Sequence, residues 1–176
     1  SIEFVIAFFG VLKAGGIVAA MNPAFPVKEL ETQIKETGAR AFVSTPSKTR
    51  EVHSIISTET NFLLVTVDDA EGSDNDGFER FNELLIPVKH ILPEQRPSNP
   101  AVLQFSGGTT GKPKAAIGTH RNLVANATQF KHWLVNFEDG KETFLVAIPL
   151  YHVYGLVLGL VLGISMGATL VFTEQP

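Results

Sequence analysis

Nine consecutive residues, Ser106-Gly107-Gly108-Thr109-Thr110-Gly111-Lys112-Pro113-Lys114, combine three glycines, three hydroxyls and two lysines. The glycines accept backbone angles that bulkier residues resist, and they keep side chains out of the way of an approaching ligand. Successive backbone N–H groups can then turn inward as an anion-binding nest. Ser106, Thr109 and Thr110 add hydroxyl donors, Lys112 and Lys114 add positive charge, and Pro113 stiffens the exit. The chemistry on offer is the holding of phosphate. The spacing is not that of a P-loop: a serine, Ser106, stands where G-x-x-x-x-G-K-[ST] needs its first glycine, and Pro113 stands where it needs Ser or Thr. Nor is there a G-x-G-x-x-G fingerprint. A plain glycine turn would account for Gly107-Gly108 alone, but not for nine residues leaving a strand.

The elements that must position this loop alternate strand with helix. Residues 2–14 place Phe4, Val5, Phe8, Phe9, Val11 and Leu12 on a wide helical face, ended by Gly15-Gly16. Ile17–Ala20 reads as a short buried strand, and Val27–Thr37 as an amphipathic helix closed by Gly38. Ala41–Val43 is a strand, Lys48–Thr58 a helix, Phe62–Val67 a strand, and Phe78–Leu85 a short helix. Residues 68–78 and 93–100 read as exposed loops, and a subdomain boundary is expected within 68–100. Ala101–Phe105 delivers the loop, Ala115–Thr119 returns from it, and His120–Leu134 forms a helix with Thr119 as N-cap. Strands at Thr143–Ile148 and Leu170–Phe172 complete an α/β pattern with mostly parallel sheets flanked by helices.

Composition excludes several classes. The 176 residues carry a net charge of −4, whereas a nucleic-acid binder usually carries a basic excess. Hydrophobic content of 44% with 18% charge is the balance of a globular domain. The absence of cysteine removes disulfides, thiolate nucleophiles and Cys-based zinc sites, and it fits a reducing compartment. No signal peptide is visible. The chain opens inside a helical pattern without Met and stops just after a strand, as expected for a piece of a longer protein.

From Thr143 to Thr173 there is no charged residue, and Gly155, Gly159, Gly163 and Gly167 recur every four positions. Small-xxx-small spacing lets membrane helices approach closely, which makes a membrane or structural protein the rival reading. Against it, Pro149 interrupts the run, and the helical part, near residues 153–166, falls short of the ~20 residues a span needs. The same stripe serves a buried helix lying close on a sheet, which is the reading adopted.

The loop, followed by Thr119-His120-Arg121-Asn122-Leu123, resembles the signature of the AMP-forming acyl-CoA synthetases. That superfamily includes 4-coumarate–CoA ligase, firefly luciferase and peptide-synthetase adenylation domains. Leu103-Gln104-Phe105-Ser106-Gly107-Gly108 looks most like the fatty-acid–CoA ligases. Phe8 to Gly16 resembles the family's early helix, Asn22-Pro23 with Glu29-Leu30 its next turn and helix, and Pro149 to Leu156 the segment after a later strand. The resemblance implies a partial N-terminal domain of an adenylate-forming enzyme. It implies two steps: a carboxylate attacks the α-phosphate of Mg2+-ATP with release of pyrophosphate, and the thiol of coenzyme A then takes the acyl group.

By the same resemblance, Ser106, Gly107, Gly108, Thr109, Thr110, Gly111 and Lys114 hold the phosphates, with Lys114 and Thr109 catalytic. Lys112 is either surface or a phosphate contact, and Ala115 stands where the family usually has glycine. His152 matches a histidine at the acyl pocket, and Tyr154 lines it. The aliphatic Leu156, Val157 and Leu158 would suit a fatty acyl chain at roughly 0.8 kcal/mol per buried methylene. An aromatic acid, or a non-catalytic membrane-associated or interaction module that keeps the fold, are the alternatives. His120 reads as structural, and His53, His90 and His132 are given no role. No protein metal ligand is assigned. The family's magnesium glutamate, ribose aspartate and C-terminal lysine are not reached, so the segment alone is expected to be inactive. The expected location is the cytoplasm, with peripheral membrane or peroxisomal placement as alternatives.

Overall fold

The computed structural model describes residues 1–56, 61–67, 77–87, 89, 92–106 and 114–173, with only the backbone at Ser106. Most of the glycine-rich loop (Gly107, Gly108, Thr109, Thr110, Gly111, Lys112 and Pro113) and most of the acidic loop expected at 68–78 lie outside the described residues. In chain order the elements are α1 (Ile2–Lys13), β1 (Val18–Ala19), α2 (Val27–Thr37), β2 (Ala41–Ser44), α3 (Pro46–Ile56), β3 (Leu63–Thr66) and β4 (Glu79–Arg80). A 3₁₀ turn at Phe81–Leu84 follows, then β5 (Pro100–Ser106), β6 (Lys114–Thr119), α4 (His120–Trp133) and β7 (Thr143–Val146). A π-helical segment (Gly155–Leu162), the α-helical turn α5 (Gly163–Ser165) and β8 (Thr169–Phe172) close the order. The mixed α/β class with mostly parallel sheets is as expected.

Two compact units share these elements: Met21–Ile91 with Gly108–Ala115, and Ser1–Ala20 with Leu92–Gly107 and Ala116–Pro176. In the first, β2, β3 and β4 form a parallel sheet, with Phe42 opposite Leu64 and Val65 opposite Glu79. Leu30 and Ile34 of α2 meet Val52 and Ile56 of α3 and Leu64 of β3 in one apolar cluster. Gly38, at φ +61°, adopts the left-handed cap that ends α2. Two expectations shift here. α3 begins at Pro46 rather than Lys48, because proline suits the first helical position and the Thr45 carbonyl accepts from Thr49 N–H at 2.9 Å. The short helix expected at Phe78–Leu85 is instead β4 and the 3₁₀ turn, since Glu79 and Arg80 pair along β3 and Arg80 donates to Thr66 Oγ1 at 3.1 Å.

In the second unit β1 runs parallel to β5, with Val18 opposite Val102, and β6 flanks β5 on the other side. His120 N–H donates to Asn99 O at 3.1 Å and Arg121 N–H to Pro97 O at 2.8 Å. The end of β6 therefore lies beside the start of β5, and the two strands run antiparallel. Thr119 caps α4 as expected: its hydroxyl accepts from Asn122 N–H, and the Asn122 side chain accepts from Thr119 N–H in return. β7 and β8 pair in parallel from Thr143–Thr169 to Val146–Phe172. Phe8, Leu12, Ala101, Val102, Leu123, Val146, Leu150, Leu156 and Leu160 form the core of this unit.

The uncharged stretch is strand–helix–strand, and no helix among the described residues is long and apolar enough to cross a membrane. Its glycines mark close approach. A Cβ at Gly155 would lie 2.5 Å from Pro149 O and 2.6 Å from Ile148 O, and one at Gly159 would lie 3.0 Å from Val146 Cγ1. A Cβ at Gly163 would overlap Leu170 Cδ2. The winding differs from expectation: Gly155–Leu162 is π-helical, with its hydrogen bonds reaching one residue further than in an α-helix. The other face of the β7–β8 pair carries Leu145 and Val171 opposite each other, 68% and 44% exposed.

These contacts separate two glycine-to-alanine changes. Gly10 sits in α1, and a methyl group added there would have nothing within 4 Å, so Gly10→Ala should stabilise by about 0.5–1 kcal/mol through helix propensity. Gly155→Ala forces a methyl against two carbonyls and should destabilise by about 1–3 kcal/mol. Chemical denaturation of both variants checks the pair, and equal effects of one sign would contradict the close-approach reading.

Candidate functional site

Before its last residue, Ser106, the strand that carries the glycine-rich loop is apolar except at one position. Ala101 and Val102 are buried, Leu103 and Phe105 half-buried, and Gln104 interrupts them on the Val102 side of the strand. β5 ends at Ser106 and β6 begins at Lys114, so the loop joins two neighbouring antiparallel strands. Lys114 is exposed at the first position of β6. Of the predicted phosphate-holding residues, the structure describes Lys114 in full and Ser106 in its backbone. Gly107, Gly108, Thr109, Thr110 and Gly111 lie outside the described residues.

The second candidate wall is the turn after β7. Pro149 stiffens it, Leu150 anchors it in the core, and His152 N–H donates back to Pro149 O at 3.0 Å. Leu156 N–H donates to His152 O at 2.9 Å, which leads the turn into the helical segment. Tyr154 N–H donates to His152 Nδ1 at 3.2 Å. A backbone N–H can only donate, so Nδ1 accepts and the ring proton sits on Nε2. His152 thus presents an Nε2–H donor from an exposed side chain, with Tyr154 exposed two residues on.

One hydrogen bond joins β5 to the turn after β7. Gln104 Nε2 donates to Tyr151 O at 3.0 Å, across 47 residues of chain. Gln104 stands two residues before the end of β5, and Tyr151 lies five residues past Val146, the end of β7. β5 near its carboxyl end therefore meets the turn that follows β7, and α/β sheets place ligands outside the carboxyl ends of their strands. Sequence reading assigned Gln104 no role. Its one visible signal was a polar residue inside an otherwise apolar strand.

The aliphatic run after Tyr154 is differently placed. Leu156 is in the core of its unit with Leu160, Val157 packs against that core, and Leu158 packs on the Ala127, Leu162 and Met166 cluster. Their apolar character is accounted for by packing. His120 lines a hollow of about 370 Å³ with Arg96, Pro97 and Arg121. That hollow adjoins the start of β5, roughly 20 Å along the strand from the loop at ~3.3 Å per residue. Among the described residues no three His, Asp or Glu side chains gather to hold a metal. A magnesium ion at the loop would be held in part by the phosphates of a nucleotide.

The chain belongs to the AMP-binding enzyme family, whose model matches residues 1–176. It is similar to a long-chain-fatty-acid–CoA ligase of Escherichia coli O6:H1, with 29% identity over 99% of this chain and 36% of that protein. It is also similar to 4-coumarate–CoA ligase 2 of Solanum tuberosum, with 28% identity over 98% of this chain and 32% of that protein. The crystal structure of ATP-bound MatB from Rhodopseudomonas palustris shares the fold, with a TM-score of 0.84 and 21% identity over 100% of this chain and 34% of that one. The chain thus spans about a third of the length of the curated relatives it matches.

The tautomer can be read directly. Long-range 15N–1H correlation at alkaline pH should show His152 as the Nε2–H form. An Nδ1–H pattern would mean that the Tyr154 contact does not hold the ring.

Proposed function

We propose that the protein carrying this chain is an ATP-dependent acid–CoA ligase, with a fatty acid as its preferred substrate. The observation that supports this reading is the Gln104–Tyr151 hydrogen bond, which joins the strand entering the glycine-rich loop to the turn that carries His152. Adenylation needs both a phosphate site and a carboxylate site.

In this reading the acid's carboxylate oxygen attacks the α-phosphorus of ATP. The bond to the bridging oxygen breaks, and pyrophosphate leaves with the electron pair. Backbone N–H groups of Gly107, Gly108 and Gly111, the hydroxyls of Ser106, Thr109 and Thr110, and the Lys114 ammonium hold that growing charge. A magnesium ion, held on the nucleotide's phosphates, would supply further charge neutralisation. His152 Nε2–H donates to the acid's other oxygen and orients it, with Tyr154 alongside. In the second half-reaction the sulfur of coenzyme A bonds to the acyl carbon, the bond from that carbon to the AMP phosphate oxygen breaks, AMP leaves with the electron pair, and the thiol proton passes to solvent. The fatty-acid preference draws on the names of relatives such as the Escherichia coli ligase, and the Solanum tuberosum relative supports an aromatic acid as the second reading.

Acid-dependent ATP–pyrophosphate exchange by the full-length protein tests the assignment, using fatty and aromatic acids in one panel. Lys114→Ala and Thr109→Ala should each lower exchange by about 10²-fold, the usual loss for one preorganised donor. Residues 1–176 alone should give no exchange. Full exchange in both variants would remove the loop from the chemistry, and faster exchange with aromatic acids would reverse the substrate preference.

A further inference from the structure

We infer that the hollow beside the start of α4 binds a small organic anion, one with a carboxylate or phosphate head and a short apolar body. The inference is independent of the ligase reading: the hollow uses neither the glycine-rich loop nor the His152 turn, and all its residues belong to one compact unit. Backbone contacts build its walls. Asn99 N–H closes a turn onto Arg96 O at 2.9 Å, and that turn is docked on the first residues of α4 through Asn99 O and Pro97 O. The backbones of Arg96 and Arg121 are thereby fixed near each other, and both exposed side chains line one space of about 370 Å³. Small-molecule sites run from roughly 300 to 1,000 Å³, so the space suits a ligand of a few heavy atoms.

Charge sets the sign of that ligand. Neither guanidinium makes a hydrogen bond or an ion pair among the described residues, and no acidic side chain lines the hollow. Arg121 stands in the first turn of α4, where the helix dipole favours an anion, and that turn carries no acid. His120 Nε2, in the same wall, is buried and has no partner among the described residues. The helix N–H groups are not the donors: those of His120, Arg121 and Asn122 are engaged by Asn99 O, Pro97 O and Thr119 Oγ1. Recognition falls to the guanidinium forks, whose planar donors match carboxylate and phosphate oxygens. Pro97, Ala125 and Val124, the last 63% exposed, offer the apolar surface on which a body of a few carbons lies.

Phenylglyoxal modification of arginines in the full-length protein, followed residue by residue by peptide mass spectrometry, tests the site. The probes are hexanoate, hexyl phosphate, hexanamide and inorganic phosphate. Saturating hexanoate or hexyl phosphate should slow modification of Arg96 and Arg121 by about tenfold or more, by mass action. Arg50, exposed on α3, should react at an unchanged rate. Hexanamide lacks the charge and inorganic phosphate lacks the body, so neither should protect at the same concentration. Whichever anion protects at the lower concentration names the head group. In R121Q, protection of Arg96 should need about tenfold more of the same probe, because one charged donor is gone.

No slowing with either anion would overturn the inference. Equal protection by hexanamide or inorganic phosphate, protection that extends to Arg50, or Arg96 protection unchanged in R121Q would do the same. Arginines that fail to react even without a probe would mean that another part of the full-length protein fills the hollow, and that too would overturn it. Protection that persists in Lys114→Ala supports a site apart from the acid–CoA chemistry. Its loss there would assign the effect to the reacting centre, removing this site and leaving the ligase reading standing.

Discussion

Parallel strands cannot be joined by a tight turn; the chain must leave one, cross over, and come back to lie on the sheet. Between β7 and β8 that crossover is a helical segment pressed so closely onto its surroundings that Gly155, Gly159 and Gly163 leave no room for a side chain. Gly155 faces the carbonyls of Ile148 and Pro149, the residues that open the His152 turn. The same contact that seats the helix therefore presses the turn into shape. Pro149 limits its backbone, Leu150 sinks into the core, and the His152 ring is fixed by a hydrogen bond from Tyr154 N–H. Position at the candidate site is inherited from packing several residues away.

The His152 turn and the strands that flank the glycine-rich loop are held by different contacts. The His152 turn is braced by local hydrogen bonds and an apolar anchor. The loop between β5 and β6 is bounded by strands, one central in its sheet and the other tied back through His120 and Arg121 to the start of β5. Thr119 ends β6 and caps α4 at once, so the returning strand has little freedom to slide. The described ends of both strands are thus set by contacts outside the loop itself.

Much of this was legible in the residues. Val27–Thr37 shows an amphipathic period ended by a glycine, and the helix has those bounds with Gly38 left-handed. Thr119 before His120 announces an N-cap, and the structure makes it a reciprocal cap with Asn122. Pro149 and the shortness of the helical part signalled that the uncharged stretch was not one long span. Features that depend on distant partners were not legible. β4 exists because Glu79 and Arg80 find β3, and Phe78–Leu85 read alone suggested a helix. The π winding of Gly155–Leu162 has no local sequence marker. Leu156 to Leu158 looked equally suited to lining a pocket or filling a core, and only their neighbours decide between the two. Gln104 was quoted within a motif, yet its partner is 47 residues away.

The exposed pair Leu145 and Val171 has a practical consequence. Parallel sheets are normally covered on both faces, and here the face turned away from the crossover presents aliphatic side chains in register on two short strands. An exposed aliphatic surface on short strands favours self-association. Work on this segment in isolation will meet that stickiness before it meets any question of catalysis. A charged residue placed at 145 or 171 is the gatekeeper that the physics of edge strands recommends.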